Sequence, residues 1–251
     1  MDSKKLNGNA LHIVSPEKAV NYKWEEYADK LPAGVQIISI DEINNLPVEI
    51  RKQYFGLQNI ELNDVFLFEP YSKRYILSSN AEDSFFERKF YKIAEIARLL
   101  GASSISHEVT LVEVMQRVLS ATGDITYKAV EVSAEVKRDY EEKIRNTYKL
   151  HEDFTSPKLT LEGYNRAKEI CIETSLIQVP VFEHLLAMRD PSHPSSLKYY
   201  EKNINLAQDI NEGLEVAFKL NILKGVFSLN ANTTETLSKS KNLNSKMIIK
   251  F

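Results

Sequence analysis

Five histidines, one cysteine and a few acid and lysine pairs are the residues of this sequence whose types and spacing could do chemistry. The histidines are His12, His107, His151, His184 and His193. No two of them stand at the i, i+4 spacing that turns a pair of imidazoles toward one metal, and His107 and Glu108 point to opposite faces if their segment is a strand. His184, beside Glu183, reads as a surface or boundary histidine, and His193 in Asp190-Pro191-Ser192-His193-Pro194 as a turn residue facing solvent. Glu135-Val136-Lys137 matches the Glu-x-Lys half of a metal-dependent nuclease core, with Asp124 the nearest upstream acid. Along one strand, at about 3.3 Å per residue, those two acids would stand roughly 36 Å apart, too far to share an ion.

Ser-x-x-Lys, the spacing of a lysine-activated serine on a helix, occurs at Ser15 to Lys18, Ser195 to Lys198 and Ser238 to Lys241. Three unrelated occurrences in a chain rich in both residues read as coincidence, and Ser195 as a helix cap. Glu25-Glu26 and Glu141-Glu142 are adjacent pairs that diverge on any regular element. Cys171 lies between Ile170 and Ile172, the setting of a buried, inert thiol. A Ser-His-Asp set is recognised by geometry and not by spacing, so none is assembled here.

Composition narrows the choices further. Among 251 residues there are 8 glycines, no two closer than 12 positions, so no glycine-rich dinucleotide loop, Walker A loop or nucleophile elbow can exist. A single cysteine permits neither an internal disulfide nor a cysteine-based zinc site. The net charge of -3 gives no global basic field, which leaves nucleic acid unsupported as a partner. No cofactor is expected, and a small-molecule ligand is left open. With 43% hydrophobic and 27% charged residues the chain is an ordinary folded globule. Met1 to Ala10 lacks the apolar run of a signal peptide, and the apolar stretches fall far below the roughly 20 residues of a spanning helix. A cytoplasmic, reducing compartment is the expectation.

The elements that must position these residues are punctuated by glycine and proline. Leu11 to Val14 is a short apolar run, and Ser15-Pro16 opens a helix to about Lys30 with Trp24, Tyr27, Ala28 and Leu31 on one face. Val35 to Ile40 predicts a strand, Pro47 to Phe55 a helix stopped by Gly56, and Val65 to Glu69 with Tyr75 to Leu77 a hairpin. Asn80 caps a helix carrying Phe86, Phe90, Ile93, Ala97 and Leu100 at helical spacing, ended by Gly101. Tyr54 to Tyr91 holds 10 of the 24 aromatic side chains, a cluster that suits a stacking platform or a core; the helical spacing of Phe86 and Phe90 favours core.

Residues 103 to 120 fit a strand through Ile105, His107, Val109 and Leu111, or a helix from about 110 opened by the capping box Thr110 to Glu113. Alternation predicts a strand at Val130 to Lys137 and a return strand at Ile144 to His151, with a helix through Tyr140, Ile144 and Tyr148 as the competing reading. Helices are predicted at Leu161 to Leu176, Val181 to Arg189 and Leu197 to Asn211. Strands are predicted at Leu214 to Ile222, Phe227 to Ala231 and Met247 to Phe251, with Asn232 to Lys246 a mobile loop. Gly163 is the one glycine that falls inside a predicted helix.

Two features point to interaction. After Glu235 the chain has no acid and gains Lys239, Lys241, Lys246 and Lys250, a possible contact for anionic lipid or nucleic acid. The alternating segments Val130 to Leu150 and Leu214 to Ala231 carry the one-face-apolar pattern shared by half-buried sheets and membrane-inserting hairpins. The fold class expected is α+β, a largely antiparallel sheet covered on one face by helices, in a single domain over 1–251 with a soft boundary near Asn80. The function expected is non-catalytic binding or assembly through a protein partner or self-association. A membrane-active effector of the pore-forming type is the alternative, followed by a hydrolase or nuclease with a site of dispersed residues.

Overall fold

The structure is a computed structural model, and it describes residues 6–24, 31–119, 124–148, 150–155, 158–193, 197–206, 214–219 and 239–251. The architecture is α+β with two mostly antiparallel sheets. The chain clusters into two compact units, one of Met1–Ser84, Met115–Ala129 and Gln208–Ser240, the other of Phe85–Val114, Val130–Ala207 and Lys241–Phe251.

The first unit begins with β1 (Ala10–Val14), whose five residues are all buried. A strand buried on both faces favours apolar residues, which Ala10, Leu11, Ile13 and Val14 supply, with His12 buried among them. Helix α1 (Pro16–Trp24) leads to β2 (Val35–Ser39), which pairs parallel to β1 with Ala10 opposite Val35. On the other side β1 pairs antiparallel with β3 (Val65–Glu69), and β3 with β4 (Arg74–Leu77), giving the order β2-β1-β3-β4. Helix α2 (Ile40–Asn44) opens on a capping box in which Glu42 N donates to Ser39 Oγ at 3.1 Å and Ser39 N to Glu42 Oε2 at 2.9 Å. Helix α3 (Val48–Phe55) follows Pro47 and stops at Gly56, whose φ of 63° suits a residue without Cβ. Leu11, Ile13, Ile38, Ile43, Phe55, Phe66 and Tyr75 form the core here. The turn between β3 and β4 is organised by a fully buried carboxylate: Glu69 accepts from Tyr71 N at 2.6 Å, from Ser72 N at 2.8 Å and from the Ser72 hydroxyl.

Helix α4 (Ala81–Leu99) buries Phe86, Phe90, Ile93 and Ala97 as its spacing predicts. The segment that fitted either period is strand: β5 (Ser104–Leu119) runs 16 residues with Ile105, His107, Leu111 and Arg117 buried on one parity. The second sheet has the order β6-β5-β9-β8, where β6 is Ile125–Val130, β8 Tyr199–Asn205 and β9 Lys239–Lys250. The short β7 (His151–Asp153) pairs with the start of β5.

Four expectations are corrected. The hairpin over 130–150 is not formed, because β6 ends at Val130 and α5 (Ala134–Thr147) takes most of the segment. Alternation from 130 to 137 spans too few residues to separate the two periods, and the cap decides: Ser133 Oγ accepts from Val136 N at 3.3 Å. Ile144 and Tyr148 bury at helical spacing, and the charged run 137–143 belongs to the helix. The helix expected over Leu197 to Asn211 is strand β8 through Asn205, with residues 207–211 outside the described residues. Tyr200 and Ile204 fit an apolar stripe at either period, and pairing with β9 settles the matter. The strand expected over Leu214 to Ile222 is helical at 214–219, where Leu214, Ala217 and Phe218 are buried at i, i+3, i+4 spacing; 220–222 and Phe227 to Ala231 lie outside the described residues. The loop expected over Asn232 to Lys246 is strand from Lys239 onward, with 232–238 outside the described residues. Its buried parity is Leu243, Ser245, Met247 and Ile249, and the serine in that row disguised the pattern.

Helix α6 (Leu161–Glu173) contains Gly163, which accounts for the glycine that stood against a helix there. A Cβ on it would stand 2.7 Å from the Leu99 carbonyl oxygen, so only glycine lets the first turn of α6 approach the end of α4. Gly163→Ala is expected to destabilise the protein by about 1–3 kcal/mol from overpacking, outweighing the roughly 1 kcal/mol that alanine gains in a helix. Urea unfolding measures this, and unchanged or increased stability would contradict the close approach.

Candidate functional site

The second unit brings together a serine and a histidine that lie 138 residues apart in the chain. His107, on the inward parity of β5, places Nδ1 2.9 Å from Ser245 Oγ of β9, and both side chains are buried. The imidazole packs against Phe90 of α4 with ring centroids 4.8 Å apart. Its Nε2 is buried with no hydrogen-bond partner among the described residues. Burial pushes the His107 pKa down to about 4, so the ring is neutral at pH 7. A general base must reach a substrate, and His107 is only 7% exposed. The pair therefore locks β5 to β9 and is not a catalytic dyad. Reading 239–246 as strand would have been the signal for it.

The first unit holds the most costly group. Arg117 is 2% exposed, and burial lowers its pKa to about 10, an effect opposed by Glu215 and Glu82. The Tyr127 hydroxyl donates to Glu215 Oε1. An arginine, two carboxylates and a tyrosine thus converge on residues that spacing could not connect, because β5, β6, α4 and the helix at 214–219 each supply one member.

The remaining sequence candidates are dispersed. Ser15 caps α1, its Oγ accepting from Lys18 N at 3.4 Å, while Ser195 and Ser238 lie outside the described residues. Cys171 is buried on α6, and burial pushes its thiol up to about 12, which denies it a thiolate. Glu135 and Lys137 are both on α5, where the Lys137 ammonium donates to the Val112 carbonyl at 3.0 Å. His184 on α7 (Pro180–Met188) stacks on Tyr200 at 5.8 Å, and the Tyr200 hydroxyl donates to the Val181 carbonyl.

Asp190, Ser192 and His193 do meet at the surface. Ser192 Oγ donates to Asp190 Oδ1 at 2.6 Å and lies 3.1 Å from His193 Nδ1. In a triad the histidine stands between serine and acid. Here the serine does, its proton committed to the carboxylate, so the arrangement is a turn. Most of the aromatic cluster is core: Phe55 contacts Phe66 and Tyr75, and Tyr75 contacts Phe68, while Tyr91 is exposed. Among the described residues no group of three or more His, Cys, Asp or Glu could hold a metal ion.

The four lysines do not share one setting. Lys239 is the first residue of β9. The Lys241 ammonium lies 4.1 Å from the centroid of the Tyr140 ring on α5. Lys246 pairs with Glu201 of β8 at 2.9 Å, where the Tyr199 hydroxyl and the ammonium both hold the carboxyl below its usual range. Lys250 is exposed on the same strand parity as Lys246. No helix of the described residues is long and apolar enough to cross a membrane, and the alternating stretches that suggested inserting hairpins are helical at 134–147 and 214–219.

Three cavities among the described residues are lined without histidine or cysteine. In the second unit one of about 440 Å³ is lined by Arg98, Asp153, Lys158 and Thr160, and one of about 580 Å³ by Val130, Val132, Glu113 and Lys137. In the first unit a recess of about 300 Å³ lies beside Leu57.

The buried imidazole has a consequence for stability. Its folded pKa lies below the unfolded value of about 6.5, so on acidification the unfolded chain takes up a proton that the folded chain refuses. Stability is expected to fall by roughly 2 kcal/mol between about pH 7.5 and pH 5, and to do so far less in His107→Gln. Chemical denaturation at the two pH values measures it, and an equal slope in both proteins would contradict the burial.

Comparison with protein-family models, with curated proteins and with solved structures found no match.

Proposed function

We propose that this protein is a non-catalytic assembly module that associates through the edge strand β6. The observation that carries this reading is exposure: among the described residues β6 stands last in its strand order, and five of its six residues are exposed. Tyr127 and Val130 are 38% and 43% exposed. A bare edge is a template for a further strand, since it presents a row of backbone donors and acceptors.

A second copy of the chain is the simplest occupant. A twofold axis perpendicular to a sheet pairs residues of equal parity in antiparallel strands. Centred on Tyr127, it sets Tyr127 against itself, Ile125 against Ala129 and Thr126 against Lys128, all favourable or neutral cross-strand pairs. Centred on Lys128, it would oppose two ammonium groups. The lysine thus selects one register and blocks its neighbour.

Sedimentation velocity of the full chain over a range of concentrations tests this. The expected result is a reversible dimer whose dissociation constant rises at least about tenfold, about 1.4 kcal/mol, in Tyr127→Lys and in Ala129→Pro. Circular dichroism checks that both variants fold. A chain that stays monomeric at every concentration, or that dimerises unchanged in both variants, overturns the reading.

A further inference from the structure

The first unit carries a second surface, independent of β6. Leu57 is 94% exposed, although the loop that carries it is firmly held. Gln58 Nε2 donates to the Phe55 carbonyl at 2.8 Å and to the Tyr75 carbonyl at 2.7 Å, and Leu77 N donates to Gln58 Oε1 at 3.0 Å. Gly56 N closes α3 on the Lys52 carbonyl at 2.9 Å. A mobile loop could fold its leucine inward; this one is pinned on the side facing β4, which turns Leu57 to solvent.

Beside it lies the recess of about 300 Å³, lined by Val48, Arg51, Lys52, Leu57 and Ile60 together with polar groups. Val48 is 53% exposed, and Ile60 packs on the core below, giving a fixed apolar floor. No acid lines the recess. Arg51 and Lys52 form no ion pair with the described residues, while the nearby Glu61 is engaged by the Asn59 amide at 2.7 Å. Two cations without an ion pair among the described residues, at the rim of a recess that mixes polar groups with Val48, Leu57 and Ile60, call for a ligand with the complementary pattern.

We propose that this recess binds an acidic peptide segment of a protein partner, one aliphatic side chain resting on Val48, Leu57 and Ile60 and flanking carboxylates meeting Arg51 and Lys52. A concave recess of this size takes a single side chain, whereas a bilayer would require a convex apolar face. Since the surface and its observations differ from those of β6, either proposal can fail without the other.

The test is fluorescence anisotropy of the full chain with labelled five-residue peptides, each with a central Leu, Ile or Phe flanked by glutamates. Matching glutamine peptides and phosphatidylserine vesicles serve as the other arms. Saturable binding is expected for at least one glutamate peptide. It should weaken at least about tenfold with the glutamine peptide, with Leu57→Asp and with the paired Arg51→Glu and Lys52→Glu variant. Leu57→Ala, which keeps the surface apolar, should weaken binding less than Leu57→Asp. Absence of binding by every peptide, or binding indifferent to Arg51 and Lys52, overturns the proposal. Vesicle binding lost in Leu57→Asp, without peptide binding, would overturn it in favour of a lipid surface.

Discussion

An arginine taken out of water must bring its counter-charge with it. Arg117 is the largest fully buried side chain described, and removing such a cation from water without compensation costs several kcal/mol. The first unit answers by directing Glu215 and Glu82 at it and by tying Glu215 to the Tyr127 hydroxyl. The same constraint governs the Glu69 carboxylate, which is sealed inside its hairpin turn by backbone and hydroxyl donors, and His107, which stays neutral and shares a hydrogen bond with Ser245. The ionisable groups of most unusual environment are thus committed to holding strands and turns together.

On the surface, the two proposals rest on different physics. At β6 the proposed resource is backbone, on a strand that ends the sheet order among the described residues. At Leu57 it is a rigid loop, where hydrogen bonds from Gln58 hold an apolar side chain out of the core that would otherwise claim it. Both surfaces are preformed, so binding at either one orders little chain and loses little entropy.

The fold was legible where a local signal was decisive. The start of α4 at Ala81, the stripe of α4, the turn after Glu69 and the Pro47 and Gly56 brackets of α3 are each settled by residues within one turn of one another. It was illegible where two periods fitted the same few residues. Leu214, Phe218 and Tyr200, Ile204 are spaced by four, a multiple of two and also close to one helical turn, so tertiary pairing chose between strand and helix. The site residues were hidden for a related reason. Ser245 meets His107 only once 239–246 is recognised as strand, and Glu215 meets Arg117 only once 214–219 is helical. Cys171 is buried as expected, on the inner face of α6 with Ile170, while Ile172 is 56% exposed.

The claim that these perturbed groups are structural is tested most directly by following the His107 ring by NMR, with ¹³C-labelled histidine, through a pH titration of the folded protein. The account predicts chemical shifts that stay flat from about pH 8 to about pH 5 and move only near about 4, with no reaction toward diethylpyrocarbonate at neutral pH. A ring that titrates near its ordinary value, or that is modified as fast as free histidine, would show an accessible base at the centre of the second unit and contradict the account.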